Sequence, residues 1–403
     1  MKKYLIIAAA AVVAMASCSE TEFVDLTPDT AITFSVVNHL LQTKGQDLPF
    51  AGLTYPQDVP FGTFAWWTKD EWTGAAADQT MVFMDNEEVS YHQVNNVYVW
   101  APTTTYYWTR SGYITFASYS PYTTAADASV HGYSEVPEYD VTKGFVFNNY
   151  SIVKDTDIDL MYADLAANCG KNTNSNGALV TDNSNPESAF SGVPTIFNHS
   201  LCKIGFAFRV IGQKNPSVDS IKVEITDVDI VNIDTLGTFN QNPVAPATVK
   251  WTTDHSATSS YDYKPASTFE LGMIRNTAAN LASTTNYTAL GKTRILLPQA
   301  LGADDDPTDP TADPIATTTD QKLVVSYTIN TRYASAPDEW ATEEVVSEVR
   351  LNNGGLTAWL DNRNITYRIS INPYSNIPVT FDPAVVDWTN QYSTDVNLNE
   401  NED

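Results

Sequence analysis

The stretch Ala31–Leu41, AITFSVVNHLL, alternates apolar and polar residues from Ile32 to Val36. Successive side chains of an extended strand point to opposite faces, so every second residue shares a face. One apolar face of this stretch is formed by Ile32, Phe34, Val36 and Leu40. The sequence therefore predicts a strand with one buried face. Two interpretations stay open: the ordinary first strand of a β-sandwich, or a detachable strand between two cleavage points.

The start of the chain has the pattern of a bacterial secretion signal. Lys2 and Lys3 precede a short apolar run, which leads through small residues to Ser17 and Cys18. A basic end, a short apolar run and small residues are typical of a signal peptide, and the run is too short to span a membrane. The cysteine resembles that of a lipobox. We therefore expect cleavage between Ser17 and Cys18, and acyl chains such as palmitate on Cys18 that tether the protein to a membrane.

The charge of the chain excludes one class of partner. Residues 1–17 hold two lysines and no acid, so the mature chain keeps 20 Lys and Arg against 48 Asp and Glu, a net charge of −28. Such a charge repels phosphate backbones. The sequence therefore predicts no nucleic-acid binding.

The body of the chain reads as an all-β protein with little helix. Short alternating runs lie between clusters of Gly, Pro, Asn and Thr, which is typical of strands and turns. The clearest predicted strands are residues 112–119, 202–210, 221–225, 322–329 and 365–371. A short helix is expected near Leu160–Ala167, and the loop Gly170–Gly192 is expected to separate two β-domains. The predicted divisions are a signal peptide (1–17), a tether with the detachable strand (18–45), an N-terminal domain (46–191) and a C-terminal domain (192–403).

Two cysteines remain besides Cys18. Cys169 lies in a loop rich in Gly and Asn, whereas Cys202 falls on the inward face of a predicted strand. One disulfide between them is possible, but these different settings favour two free thiols.

The sequence carries no recognisable catalytic, cofactor or metal motif. Its five histidines are spread without ligand spacing, and neither G-x-S-x-G nor H-E-x-x-H occurs. His199 is expected to be a hydrogen-bonded residue at the edge of a core. The aspartates between Asp304 and Asp313 lack the spacing of a calcium loop and favour a solvated acidic loop. We therefore expect no enzymatic activity, no cofactor and no metal.

Aromatic side chains are concentrated in the predicted N-terminal domain. Five of the nine tryptophans are Trp66, Trp67, Trp72, Trp100 and Trp108. Such rings either fill the domain core or form an exposed platform for sugar faces. The second interpretation makes the protein a monomeric surface lipoprotein that binds glycans, and it stays open as the alternative function.

An ordered set of features resembles the fimbrillins, the type V pilins of Gram-negative bacteria. The features are the lipobox cysteine, ITF at 32–34, Lys44, FGTFAWW at 61–67, FM at 83–84, VYVW at 97–100, YYW at 106–108, ITFASYSP at 114–121, FNHSL at 197–201, IGF at 204–206, WL at 359–360, YRISI at 367–371 and VDW at 386–388. Each piece is short, but together they extend over nearly the whole chain.

The resemblance implies two tandem β-sandwich domains of transthyretin-like form in an outer-membrane lipoprotein of the cell surface that serves adhesion. Its role would be that of a fimbrial subunit or of a fimbria-associated tip or anchor protein, with glycans or proteins of host or bacterial surfaces as candidate partners. It also implies assembly with other fimbrial subunits by donor-strand exchange, in which a protease removes the first strand and a C-terminal strand of another subunit replaces it. The implied cleavage site is Lys44–Gly45, although the family pattern favours arginine there. An ordinary solvated loop lysine at Lys44 therefore stays open as the alternative. The candidate donor strand consists of Tyr392, Thr394, Val396 and Leu398.

Overall fold

The structure is a computed structural model, and it describes the following parts of the chain: residues 31–38, 55–109, 112–154, 156, 158–169, 192–211, 217–243, 249–275, 286–302, 320–352, 355–373 and 379–388. Almost all regular structure in these ranges is β-strand. Two short 3-10 helices, Ala76–Gln79 and Ala128–His131, interrupt the strands. No helix in the described ranges is long and apolar enough to cross a membrane.

The strands fall into two groups along the chain. The first group is β1 (Phe34–Asn38), β2 (Phe61–Thr68), β3 (Val82–Val94), β4 (Val97–Pro102), β5 (Tyr113–Ser120), β6 (Tyr139–Asp140), β7 (Gly144–Ser151), β8 (Met161–Ala163), β9 (Ala166–Cys169) and β10 (Val193–His199). The second group is β11 (Cys202–Val210), β12 (Val218–Asp234), β13 (Leu236–Asn240), β14 (Trp251–Thr252), β15 (Thr258–Asp262), β16 (Phe269–Arg275), β17 (Thr288–Leu296), β18 (Lys322–Tyr333), β19 (Trp340–Arg350), β20 (Arg363–Ile371) and β21 (Val379–Asp387).

The N-terminal strands form a ring. They are hydrogen-bonded in the order β2-β3-β4-β1-β10-β8-β5, and β5 pairs again with β2. β9 continues the pairing along β5. Closure covers most of the edges that an open sheet would expose. The ring encloses a core that includes Ile32, Phe34, Tyr55, Phe61, Met84, Trp100, Ile114, Phe116, Cys169, Val193 and Phe197.

A second sheet, in the order β14-β13-β7-β6, covers one side of the ring. Strand β5 is buried on both faces as a result: Phe116 points into the ring, and Tyr119 belongs to the core between ring and second sheet. A strand buried on both faces has apolar residues at successive positions, which explains the run ITFASY in β5.

The C-terminal strands form a β-sandwich. One sheet has the order β17-β11-β20-β21, and the other has the order β15-β12-β18-β19 with β16 also paired to β12. The alternating residues Ile204, Phe206 and Phe208 of β11 face the core between these sheets, together with Ile365, Tyr367 and other apolar residues. The fold is therefore all-β with two packed β units, as the sequence predicts.

One prediction of secondary structure is wrong. Residues 160–167 contain no helix, because Met161–Ala163 forms β8 and Ala166–Cys169 forms β9. Met161 and Ala163 are buried in the ring core, while Tyr162 lies in the core under the second sheet. Burial on both faces, between β5 and β10, selects the extended conformation over the helix that the small alanines favour.

The expected boundary at residue 192 does not coincide with a break between sheets. Strand β10 lies beyond it and pairs with β1 and β8 inside the ring. Strands β13 and β14 also belong to the second sheet, through the pairing of β13 with β7. Strand β11, which begins at Cys202, is the first strand of the C-terminal sandwich.

Buried tyrosines predict a dependence of stability on alkaline pH. Burial raises the pKa of Tyr55, Tyr133 and Tyr263 above the ordinary tyrosine value. The unfolded chain ionises at the ordinary pKa, so the stabilisation is present below that pH and is lost as the pH rises above it. We expect the free energy of unfolding to fall by about 1.4 kcal/mol per pH unit for each such tyrosine above about pH 10. Urea denaturation between about pH 8 and pH 11 measures this, and a flat profile would contradict it.

Candidate functional site

Strand β1 occupies an internal position in the ring, between β4 and β10. It runs parallel to β10 with five consecutive pairs, from Phe34–Val193 to Asn38–Phe197. Its pairing with β4 is antiparallel and consists of Phe34–Trp100. At the start of the strand, the Ile32 N–H donates to the Tyr106 carbonyl oxygen at 2.8 Å. The predicted strand therefore exists and completes the ring.

The predicted inward face of β1 is largely buried. Ile32 is 1% exposed and Phe34 is 4% exposed, while Val36 is partly buried against the same core. The Phe34 ring makes T-shaped contacts with the rings of Phe61 and Phe116, with centroid distances of 5.5 and 5.6 Å. Leu40, the fourth predicted member, lies outside the described residues. The described part of β1 thus fills a pocket in the ring core.

Tyr55 is a core residue that the sequence analysis missed. Its ring stacks on the Phe197 ring with a centroid distance of 4.9 Å and makes a T-shaped contact with the Trp100 ring at a centroid distance of 5.2 Å. Its hydroxyl lies 2.6 Å from the Ser120 hydroxyl, which satisfies the polar end of a side chain that is 2% exposed. An isolated tyrosine between a loop and a strand gave no periodic signal in the sequence. It supports the strands on both sides of β1.

Gly192 allows β10 to approach β1 closely. Its φ is +134°, and a Cβ atom built there would lie 2.8 Å from the Thr33 carbonyl oxygen and 3.1 Å from the Phe34 carbonyl carbon. The Val193 N–H donates to that same Thr33 oxygen at 2.8 Å. Glycine is required here because any side chain would meet backbone, which cannot move aside as a flexible side chain can.

We expect Gly192→Val to weaken the seating of β1. The added side chain combines an unfavourable φ with overpacking against the Thr33 backbone, so the free energy of unfolding should fall by about 2–4 kcal/mol. Gly74→Val is the matched control, because Gly74 has a φ of +79° but nothing within 4 Å of its built Cβ. Chemical denaturation of both variants compares them, and equal losses would show that close approach to β1 is unimportant.

The tryptophans do not form the exposed platform considered above. Trp66, Trp100 and Trp108 are 5, 8 and 7% exposed and lie in the two N-terminal cores. Trp67 and Trp72 are partly buried, and the Trp72 ring lies 5.8 Å from Trp66 at a tilt of 43°. Trp66 is buried because the second sheet covers its face of β2, whereas Trp100 and Trp108 belong to the ring core. Burial of three of the five removes the flat surface that stacking on a sugar needs.

His199 connects the ring to the end of the last described strand. Its Nδ1 lies 2.7 Å from Asp159 Oδ2. Its ring stacks on the Trp388 ring, with the centroids 4.0 Å apart and the ring planes 4° from parallel. The Trp388 N–H donates to the Asn362 carbonyl oxygen at 3.0 Å. His199 is 3% exposed, in agreement with the expected hydrogen-bonded residue in a core. Trp388 therefore fixes the point from which residues 389–403 continue.

Both remaining cysteines are free and buried, as the sequence favours. Cys169 is the last residue of β9 and not a loop residue as predicted, because it pairs with Ile114 and is buried in the ring core that contains Phe34. Cys202 belongs to the core of the C-terminal sandwich. Burial raises the pKa of both thiols well above the ordinary value. Since the thiolate is the reactive form, both are expected to be inert while their cores are closed.

An acidic group lies on the outside of the C-terminal sandwich. Carboxylate oxygens of Asp227, Asp229 and Asp262 all lie within 4.8 Å of one another. Burial raises the pKa of Asp229, and the other two carboxylates add to this. Lys264 Nζ lies 3.8 Å from Asp227, and Lys292 Nζ lies 3.9 Å from Asp262. The two ammonium groups balance part of the acidic charge.

Several predicted site residues lie outside the described residues. They are Ser17 and Cys18 of the lipobox, Lys44 and Gly45 of the processing site, and Tyr392, Thr394, Val396 and Leu398 of the candidate donor strand. Of the predicted site, the structure describes the pocket in the ring core and strand β1, which fills it.

Comparison with known proteins identifies relatives of the chain. A family profile described as fimbrillin-like matches residues 58–388. A crystal structure of a fimbrial protein from Bacteroides vulgatus is similar over 89% of this chain and 99% of that chain, with 18% identity and a TM-score of 0.51. At this identity the similarity shows the fold alone. A search of curated proteins gave no significant match.

Two further solved structures align over most of the chain with lower scores. A proposed cell adhesion protein from Bacteroides uniformis has 16% identity and a TM-score of 0.40, with coverage of 89% of this chain and 98% of that chain. The tip fimbrial protein Mfa3 from Porphyromonas gingivalis, truncated at its C-terminus, has 11% identity and a TM-score of 0.32, with coverage of 82% and 95%.

Proposed function

This chain belongs to the fimbrillin-like family, and we propose that it is a structural, non-enzymatic subunit of a cell-surface fimbrium and acts in adhesion. We further propose that β1 is removed to admit a strand from another subunit. The observation that carries this proposal is the position of β1. It is an internal strand of a closed ring, yet it comes from the start of the described chain, before the candidate processing site at Lys44.

Loss of β1 would leave an open, apolar ring. Removal of the Ile32 and Phe34 side chains would expose core surface worth roughly 1.5–3 kcal/mol for each side chain. Strand β10 would gain a free edge along residues 193–197, and β4 would lose its pair at Trp100, which leaves backbone N–H and C=O groups unpaired. A ring in this state favours the uptake of another strand, which restores both the burial and the hydrogen bonds.

The remaining steps of maturation are part of the same proposal. Export as a lipoprotein through Cys18 would place the precursor at the outer membrane, and cleavage after Lys44 would detach β1 from the body. The candidate replacement is the C-terminal segment of another subunit, with Tyr392, Thr394, Val396 and Leu398 as its inward face. Trp388, which is 4% exposed, gives this segment a fixed starting point on the subunit that donates it.

Limited digestion of the folded chain with a lysine-specific protease tests the proposal. The parent chain and Lys44→Gln are digested in parallel, the new N-terminus is read by mass spectrometry, and assembly is followed by gel filtration. We expect the parent to be cut after Lys44 with an intact body and to form larger species, while Lys44→Gln stays monomeric. Cleavage at Lys44 without any assembly would contradict strand exchange, and resistance of Lys44 would contradict processing there.

A further inference from the structure

The two sides of β1 are held unequally. The side facing β10 has five consecutive pairs, whereas the side facing β4 has the pair Phe34–Trp100. Residues 97–99 of β4 pair with β3 on one side. On their other side they pair with no strand among the described residues, although β1 continues to Asn38. We call residues 97–99 the landing edge.

The landing edge is exposed and apolar. Val97 is 60% exposed and Tyr98 is 61% exposed. Both follow a tight turn at Asn95 and Asn96, whose φ angles of +50° and +65° are typical of the two-residue hairpin that joins β3 to β4. An exposed strand edge with large apolar side chains is a template for a further strand.

Aromatic rings form a continuous contact from the landing edge into the pocket of β1. The centroid of the Tyr98 ring lies 5.7 Å from that of Tyr91, and the Tyr91 centroid lies 5.5 Å from that of Trp100. Trp100 in turn lies 5.6 Å from Phe61, one of the two rings that hold Phe34. A strand that pairs with the landing edge would therefore meet apolar surface at each step toward the pocket.

The candidate cut lies beyond the same end of β1. Asn38, the last residue of β1, is at the landing-edge end, and Lys44 follows it in the sequence. The opposite end of β1 is fixed by the Ile32–Tyr106 hydrogen bond and by the bridge between Ala31 and Tyr107. After cleavage, β1 would have a free chain end beyond Asn38, on the side where it does not pair with β4. Because chain ends are the least ordered parts of a chain, this end of β1 would separate from the ring first.

From this asymmetry we propose that the landing edge is where the replacement strand of another copy of this chain first pairs. Displacement of β1 then proceeds from Asn38 toward Ile32. This inference rests on the proposed function and adds to it the site and the direction of exchange. A replacement that runs as β1 does, parallel to β10, meets the landing edge with its C-terminal residues, so Leu398 pairs before Tyr392.

Two exposed tyrosines at opposite ends of β1 make a matched test. Tyr98 is on the landing edge, and Tyr107, which is 49% exposed, pairs with Ala31 at the other end. The parent, Tyr98→Ser and Tyr107→Ser chains are cut after Lys44 and mixed with a labelled peptide of residues 389–403. Uptake is followed by fluorescence anisotropy, and urea denaturation confirms that the uncut variants are equally stable.

We expect Tyr98→Ser to slow peptide uptake about three- to tenfold, the factor that corresponds to the loss of one aromatic contact. Tyr107→Ser should leave the rate of uptake unchanged, and all three chains should reach the same final extent. In the parent, a peptide with Leu398→Ser should enter more slowly, whereas a peptide with Tyr392→Ser should enter at the normal rate and leave faster.

The possible results separate this inference from the proposal on which it rests. Normal uptake by Tyr98→Ser, or slower uptake by Tyr107→Ser alone, would overturn the landing edge while strand exchange stands. Equal slowing by both substitutions would also overturn it, because neither end would then come first. Failure of the peptide to enter the cut parent would overturn both the inference and strand exchange.

Discussion

Phe34→Ala is expected to lower the free energy of unfolding by about 3–5 kcal/mol, the usual cost of removing a buried phenylalanine ring. Phe34 is 4% exposed, and its ring is held between Phe61 and Phe116. Truncation would leave a cavity in the ring core at the one residue of β1 that pairs with both neighbouring strands. Urea denaturation followed by tryptophan fluorescence measures the loss.

Ser35→Ala is the control within the same strand. Ser35 is adjacent to Phe34 but belongs to the opposite face and is partly exposed. Its substitution should change the free energy of unfolding by less than about 0.5 kcal/mol. A Phe34→Ala chain as stable as the control would mean that β1 contributes little to closing the ring.

Trp388→Ala is expected to have an effect of similar size, about 3–5 kcal/mol. Trp388 is 4% exposed and comes directly after β21 of the C-terminal sandwich, but its ring belongs to the core between the ring and the second sheet. Truncation would remove both the stack on His199 and the packing that connects the two β units. The His199–Asp159 pair would then be exposed to water.

Two further substitutions show whether the aromatic stack or the position in the chain matters. Val386→Ala, two residues earlier at a side chain that is 49% exposed, should be nearly neutral. Trp388→Phe keeps a ring against His199 and should recover most of the stability. Equal stability of Trp388→Ala and Trp388→Phe would contradict the role of the stack, and thermal unfolding of all three variants decides this.

Local patterns predicted the strands and their buried faces. The alternation of Ile204, Phe206 and Phe208 gave β11, and that of Ile32 and Phe34 gave the inward face of β1. The different settings of Cys169 and Cys202 favoured free thiols, which the structure contains. These features depend on a period of two along one segment, and that period can be read without knowledge of the partner strand.

Pairing between distant segments could not be predicted in the same way. Strand β1 lies parallel to β10, and β13 joins β7 across the expected domain boundary. Apolar alternation shows that a strand has a partner but does not identify it, since many strands of this chain have the same pattern. For this reason the sequence predicts the boundary at the Asn- and Gly-rich loop before β10, although β10 completes the ring.

The tryptophans illustrate a related limit for the candidate site. The sequence FAWW places Trp66 and Trp67 on opposite faces of one strand, which fits either a sandwich core or an exposed aromatic surface. Trp66 is buried because the second sheet covers its face of β2. The ring centroid of Tyr139 in that sheet lies 5.5 Å from that of Trp66. Likewise Gly192 gave no signal, because its role depends on the backbone of Thr33, far away in the chain.

Two thiols of the same chain show whether β1 is a removable strand that closes the ring core. Cys169 lies in the ring core, and Cys202 lies in the core of the C-terminal sandwich as an internal control. The folded parent and Lys44→Gln are treated with the lysine-specific protease, then alkylated with iodoacetamide near pH 8. Mass spectrometry then measures the rate at each cysteine.

We predict that digestion raises the alkylation rate of Cys169 at least about tenfold, which corresponds to ~1.4 kcal/mol less free energy for opening the ring. The rate at Cys202 should stay unchanged, and Lys44→Gln should show no increase at either cysteine. A parent chain that is cut after Lys44 but keeps Cys169 as protected as Cys202 would contradict the claim.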